Sequence, residues 1–120
     1  MKPPAGTRVL IVEDEAIIAM TAEDMVEDLG CTIAGIASNL AEALAHAEAG
    51  GFDVALLDIN LHGENSMAVA ELLAAKGTPF VFTTGYGTTG PGANFVGVPV
   101  LSKPYRTDQI GEAISQVLRS

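Results

Sequence analysis

The polar side chains best suited to chemistry in this 120-residue chain stand where apolar runs stop. Glu13 and Asp14 follow Arg8-Val9-Leu10-Ile11-Val12, and Asp58 and Asn60 close the run Val54-Ala55-Leu56-Leu57. Thr84 ends Pro79-Phe80-Val81-Phe82-Thr83, and Lys103 comes just after Val98-Pro99-Val100-Leu101. Three carboxylates crowded together repel one another and hold protons more tightly unless a cation lies among them. Hard oxygen donors of this kind suit Mg2+, which keeps several waters and accepts one or two carboxylates with a phosphate oxygen. The Lys103 ammonium adds a point charge able to hold an anion, and the Thr84 hydroxyl adds a donor. Together these are the parts needed to pass a phosphoryl group to Asp58, with metal and lysine offsetting the charge on its equatorial oxygens.

Such convergence requires a scaffold that brings distant residues to one edge. Short apolar runs bounded by Gly or charge read as strands buried on both faces. They fall at roughly 8–13, at Cys31 to Ile36, in the Val54 to Leu61 stretch, at 79–84 and at 98–101. Pro99 within the last marks it as an edge strand. Between them the period turns helical. Ile18, Ala22, Met25 and Leu29 form the inward stripe of a first helix over 15–29, stopped by Gly30. Ser38-Asn39 signals a second helix carrying Leu40, Ala43, Leu44 and Ala47, ended by Gly50-Gly51. A third helix spans 66–76 with Val69, Ala70, Leu72 and Leu73, and a last one starts at Thr107-Asp108 with Ile110, Ala113, Ile114, Val117 and Leu118 inward. The fourth helix that the alternation demands would fall in 85–97. That stretch holds Gly85, Gly87, Gly90, Gly92, Gly97 and Pro91, so a short or irregular element is expected. Alternation predicts a doubly wound, five-stranded parallel sheet with helices on both faces. In such sheets chemistry gathers at the carboxyl ends of the strands.

Singly, each polar residue has an ordinary role. Glu13 and Asp14 can favour a helix N-terminus, Asp58 can open a loop, and Thr84 and Lys103 can be plain strand and loop residues. Their arrival at the ends of four different strands is what points to a shared site. The length suits a single domain over 8–120 behind a flexible lead-in at 1–7. A net charge of -9 disfavours nonspecific binding to nucleic acid or anionic membrane, which needs clustered Lys and Arg. Cys31 is the single cysteine, so an intrachain disulfide is excluded and a buried structural thiol is expected. No secretory leader or membrane-spanning run is found, and the expected location is cytoplasmic.

The ordered set Glu13-Asp14, Asp58, Thr84-Gly85 and Lys103-Pro104 resembles the receiver domain of bacterial two-component response regulators, a flavodoxin-like fold, along essentially the whole chain. The resemblance implies that Asp58 is the phospho-acceptor. Glu13 and Asp14 would be the acidic pocket for Mg2+, with Asn60 a metal ligand through its backbone carbonyl. Thr84 and Lys103 would contact the phosphoryl oxygens. The donor would be the phosphohistidine of a sensor histidine kinase or phosphotransfer protein, and a downstream protein would read the result. The protein would then be a single-domain switch, relay or phosphate sink that turns over no outside substrate.

Two positions depart from the family pattern. Receivers usually carry an aromatic ring three residues before the lysine, where this chain has Val100. The run through Thr83-Thr84-Gly85-Tyr86 resembles a mostly stand-alone subgroup named for its Phe-Ala-Thr-Gly-Tyr stretch. Tyr86 then either takes over the switch role or shields the site. His62 stands where Pro is frequent, and a turn residue at the mouth of the site is expected there. Ile17 and Met20 point away from the inward stripe of the first helix. With Pro104 and Tyr105 they make the expected docking face for a kinase.

Other functions fit less well. A small Mg2+-dependent phosphatase with an aspartyl nucleophile usually needs a second Asp two residues on, where Asn60 stands. A flavin or nucleotide module would want a Gly-rich loop after the first strand, in place of Glu13-Asp14-Glu15. A degenerate receiver working by contact alone would not need the complete acceptor set.

Overall fold

The computed structural model describes residues 2–85, 95 and 97–119. Its centre is the strand β3 (Val54–Asp58), buried along its whole length. β1 (Arg8–Val12) and β6 (Phe80–Thr84) flank it, with β2 (Thr32–Ala37) and β7 (Val100–Ser102) at the two edges. The five strands are parallel in the order β2-β1-β3-β6-β7. The order reverses direction between β1 and β3, and the crevice at such a switch point is where open α/β sheets bind ligands. Glu13 and Asp14 follow β1 and Asp58 ends β3, so the acids stand at that crevice.

Alternate strand residues face opposite layers because side chains in a strand have a period of two. Val9, Ile11, Leu56 and Val81 pack with Ala22, Val26 and Leu29 of α1 (Ala16–Asp28) and Ile110, Ala113 and Ile114 of α4 (Thr107–Arg119). Leu10, Val12, Leu57 and Phe82 pack on the other face. Their partners there are Ala43 and Ala47 of α2 (Leu40–Ala49) and Val69, Ala70 and Leu73 of α3 (Met67–Ala75). The expected doubly wound architecture is therefore what the chain adopts.

Local chemistry sets the helix boundaries. At α2 the Asn39 side chain accepts the Glu42 N–H at 2.8 Å, while the Glu42 carboxylate accepts the Ser38 N–H and hydroxyl at 2.8 and 2.9 Å. These reciprocal bonds satisfy donors that a helix start leaves free. Gly30, at φ +85°, follows α1 in the left-handed conformation that glycine adopts without penalty.

Several expectations shift. The buried stripe of α1 is Ala19, Ala22, Val26 and Leu29; Ile18 and Met25 are only half-buried. The second strand runs one residue later than expected, and the fifth begins at Val100. Pro99 still contributes its carbonyl, which accepts the Phe82 N–H at 2.9 Å. The stretch after β3 is not a continuation of that strand. Asn60–Leu61 and Glu64–Asn65 pair as a separate antiparallel hairpin, β4–β5. The expected irregular helix falls in a stretch whose residues 86–94 and 96 lie outside those described. In the lead-in, Thr7 donates to the Pro4 carbonyl and Gly6 to the Gly30 carbonyl. Cys31 is buried, and burial pushes its thiol above the usual range, as expected of a structural cysteine. No helix among the described residues is long and apolar enough to cross a membrane.

Candidate functional site

Glu13, Asp14 and Asp58 each bring a carboxylate oxygen within 4.8 Å of the others. Lys103 reaches between two of them, with Nζ 2.6 Å from Glu13 Oε1 and 2.8 Å from Asp58 Oδ2. The lysine backbone is held by β7, since its N–H donates to the Thr84 carbonyl of β6 at 2.9 Å. On the other side of Asp58, Oδ1 accepts the Asn60 N–H at 3.1 Å. Asp14 Oδ2 accepts the His62 N–H at 2.9 Å. Asp58 has only 5% of its side chain exposed, and it lines a cleft of about 730 Å³ shared with Asp14, Asn60, Thr84 and Lys103. The cleft continues along Ile18, Thr21 and Met25 of α1. The donor set of clustered, hard carboxylate oxygens fits Mg2+.

Electrostatics follow from burial and from the lysine. Burial pushes the Glu13 carboxyl up to about 6, and the nearby Asp58 charge adds to this against the pull of Lys103 and the Glu15 N–H. Burial would lower the Lys103 ammonium, but hydrogen bonds to Asp58 and Glu13 outweigh it and hold the lysine above its ordinary value. Asp14 goes the other way. Burial opposes its ionisation, yet the His62 N–H and further hydrogen bonds keep it below the usual carboxylate range.

Glu13 makes a pH prediction. Its folded value lies above the ordinary 4.5, so between about 4.5 and about 6 the native chain holds a proton that the unfolded chain has released. Metal-free stability should fall as pH rises through that window, by on the order of 2 kcal/mol. The Asp14 contribution has the opposite sign and is lost only at more acidic pH. Urea unfolding across the window should show the decline in wild type and its flattening in Glu13→Gln. An equal decline in both would assign it to other groups.

The family model described as the response regulator receiver domain matches residues 9–115. The chain belongs to that family. Receiver domains with solved structures give the same fold: SdrG from Sphingomonas melonis Fr1 superposes with a TM-score of 0.85 at 45% identity. That match covers 98% of this chain and 100% of SdrG. The BeF3-activated conformation of SdrG from Pseudomonas melonis Fr1 follows at 0.78 and 44%, covering 97% and 99% of the two chains. The phyllosphere-induced regulator PhyR of Methylorubrum extorquens is 36% identical over 121 residues, covering 94% of this chain. This receiver domain spans 44% of that PhyR.

The sequence-derived residues of the receiver site divide cleanly. Glu13, Asp14, Asp58 and Lys103 come into contact, and Asn60 and Thr84 join them around the cleft. Val100 is 39% exposed on the edge strand. Tyr86 lies outside the described residues. Of the expected docking face, Ile17 and Met20 stand out at 79% and 62% exposed, and Pro104 is exposed too. Tyr105 does not belong to that face. It is 7% exposed and sits in the core layer under α1 and α4, where burial and the Glu13 charge push its hydroxyl up to about 12. His62 is exposed in the hairpin turn, as expected. Sequence reasoning missed Ser66, which is fully buried and donates its hydroxyl to the Asp58 carbonyl at 2.6 Å. It read only as the start of α3.

Proposed function

We propose that this receiver domain is a phosphorylation-controlled signalling module, residues 8–120 acting as one unit, with Asp58 as its phospho-acceptor. The observation that carries this reading is the convergence of Glu13, Asp14, Asp58 and Lys103 from the ends of β1, β3 and β7. Asp58 would attack the phosphorus of a phosphohistidine on a sensor kinase or phosphotransfer protein. The P–O bond to Asp58 forms as the P–N bond breaks, and the imidazole leaves. The Asn60 N–H orients the acceptor carboxylate through Oδ1. Lys103, already at Oδ2, is placed to follow charge onto the phosphoryl oxygens, with the Thr84 hydroxyl as a second donor. Mg2+ would be held by Glu13, Asp14, Asp58 and the Asn60 carbonyl, and when bound it would neutralise the equatorial oxygens.

The exposed Ile17 and Met20 support α1 as the kinase-facing surface. Output would be through contact with a downstream protein in the cytoplasm, as switch, relay or phosphate sink, and no outside substrate would be turned over. Incubation with acetyl phosphate and Mg2+ followed by intact mass tests the acceptor. Wild type should gain one phosphoryl group and Asp58→Ala none. A gain retained in Asp58→Ala would overturn the assignment.

A further inference from the structure

Between β3 and α3 the chain makes a detour that leads back to the acidic pocket. The β4–β5 hairpin turns on two residues, His62 at φ 52° and Gly63 at φ 83°. Positive φ at both central positions is the signature of a type I′ turn, whose twist matches the flanking strands. His62 is the one non-glycine with positive φ among the described residues. A side chain there is uncommon and costs about 1 kcal/mol or more. Its imidazole is 61% exposed, with Nδ1 3.7 Å from Asp14 Oδ2, too far for a hydrogen bond. The backbone does what the ring does not: the His62 N–H donates to Asp14 Oδ2 at 2.9 Å.

The base of the hairpin is tied just as firmly to the acceptor strand. The Ser66 N–H donates to the Ile59 carbonyl at 2.9 Å, and the Ser66 hydroxyl donates to the Asp58 carbonyl. Across the loop, Asn60 Oδ1 accepts the Gly63 N–H at 2.8 Å. One short clip thus grips Asp58 at its base and Asp14 at its tip. We infer that the β4–β5 hairpin sets the Asp14 carboxylate in place for the cation, with His62 a positioning residue that acts through its backbone N–H. This rests on the Mg2+ reading above and adds a residue to it. Groups that orient a ligand through a hydrogen bond are worth about 10–100-fold in metal affinity.

The test is a Mg2+ titration of the full chain followed by two-dimensional amide NMR. Asn and Gly accept positive φ, so His62→Asn and His62→Gly should bind Mg2+ within about twofold of wild type. His62→Val keeps an N–H but resists this conformation, and should bind about tenfold more weakly. At saturating Mg2+ its phosphoryl uptake from acetyl phosphate should return to near the wild-type rate. Gly63→Val, strained at the adjacent turn position, serves as a second variant and should lose affinity similarly. Unchanged affinity in both valine variants would overturn the inference. So would an equal loss in His62→Gly, which would shift the role to the imidazole. A wild type that binds Mg2+ but takes no phosphoryl group at Asp58 would defeat the proposed function alone, with the valine variants still deciding the clip. A wild type with no Mg2+ affinity would defeat both.

Discussion

Lys103→Met should slow phosphoryl uptake at Asp58 by about 10²–10³-fold, the usual cost of removing one preorganised donor from a developing charge. The same change should cost about 3 kcal/mol of stability near neutral pH in metal-free buffer. Methionine keeps the apolar stem and removes only the ammonium. The ammonium is 11% exposed and lies within hydrogen-bond distance of Glu13 and Asp58, two carboxylates that are almost wholly buried. Without it their mutual repulsion has no local counter-charge, and leaving a buried charge unpaired costs far more than the pair itself contributes. The penalty should shrink near pH 5, where Glu13, already shifted upward by burial, takes up a proton. Saturating Mg2+ should restore stability and leave phosphoryl uptake slow, because a cation in the acidic pocket offsets the carboxylates but does not replace the lysine. Urea unfolding with and without Mg2+, beside an intact-mass time course, separates these effects. Unchanged metal-free stability would mean that Lys103 contributes nothing net to holding the acids together.

The sheet was legible because burial on both faces leaves no room for ambiguity in composition. Val54–Leu57 and Phe80–Phe82 are short, continuous and apolar, and each ends at a turn or polar residue that the parallel topology must deliver to one edge. The acidic pocket follows from that edge. Helix faces were less certain, since α1 is rich in apolar residues around its circumference. Ile18-Met25 and Ala19-Val26 are adjacent stripes about 100° apart, and only packing against β1 and α4 selects the second for the core. The displaced pair is not wasted, for Ile18 and Met25 line the cleft. The hairpin was hidden for a different reason. Its strands have two residues each, too few for a period, and the usual Asn-Gly or Asp-Gly turn is replaced by His62-Gly63. Tyr105 follows a loop proline, where no periodicity distinguishes an inward ring from an outward one. Contacts such as Ser66 to Asp58 arise from the loop path itself, which residue types alone do not specify.

Phe82→Ala should be the most damaging single truncation in the layer under α2 and α3. Phe82 is fully buried and meets two other rings edge to face, Phe80 at 5.3 Å and Phe95 at 5.6 Å between centroids. Removing it forfeits its burial, both ring contacts and the packing of the cavity left behind, about 3–5 kcal/mol in all. A domain of this size has about 5–15 kcal/mol in total, so the midpoint of thermal unfolding should drop by roughly 10–20 °C. Ile17→Ala, an apolar truncation of similar chemistry at a 79% exposed position, should change stability by less than about 0.5 kcal/mol. The contrast extends to the site. Phe82 lies two residues before Thr84, whose carbonyl holds the Lys103 N–H, so a void beneath β6 loosens the strand that aligns the lysine. Phosphoryl uptake by Phe82→Ala, measured well below its melting temperature, should therefore fall, while Ile17→Ala with acetyl phosphate as donor should match wild type. Equal uptake by the two variants would show that the aromatic layer supports the fold without setting the geometry at Asp58.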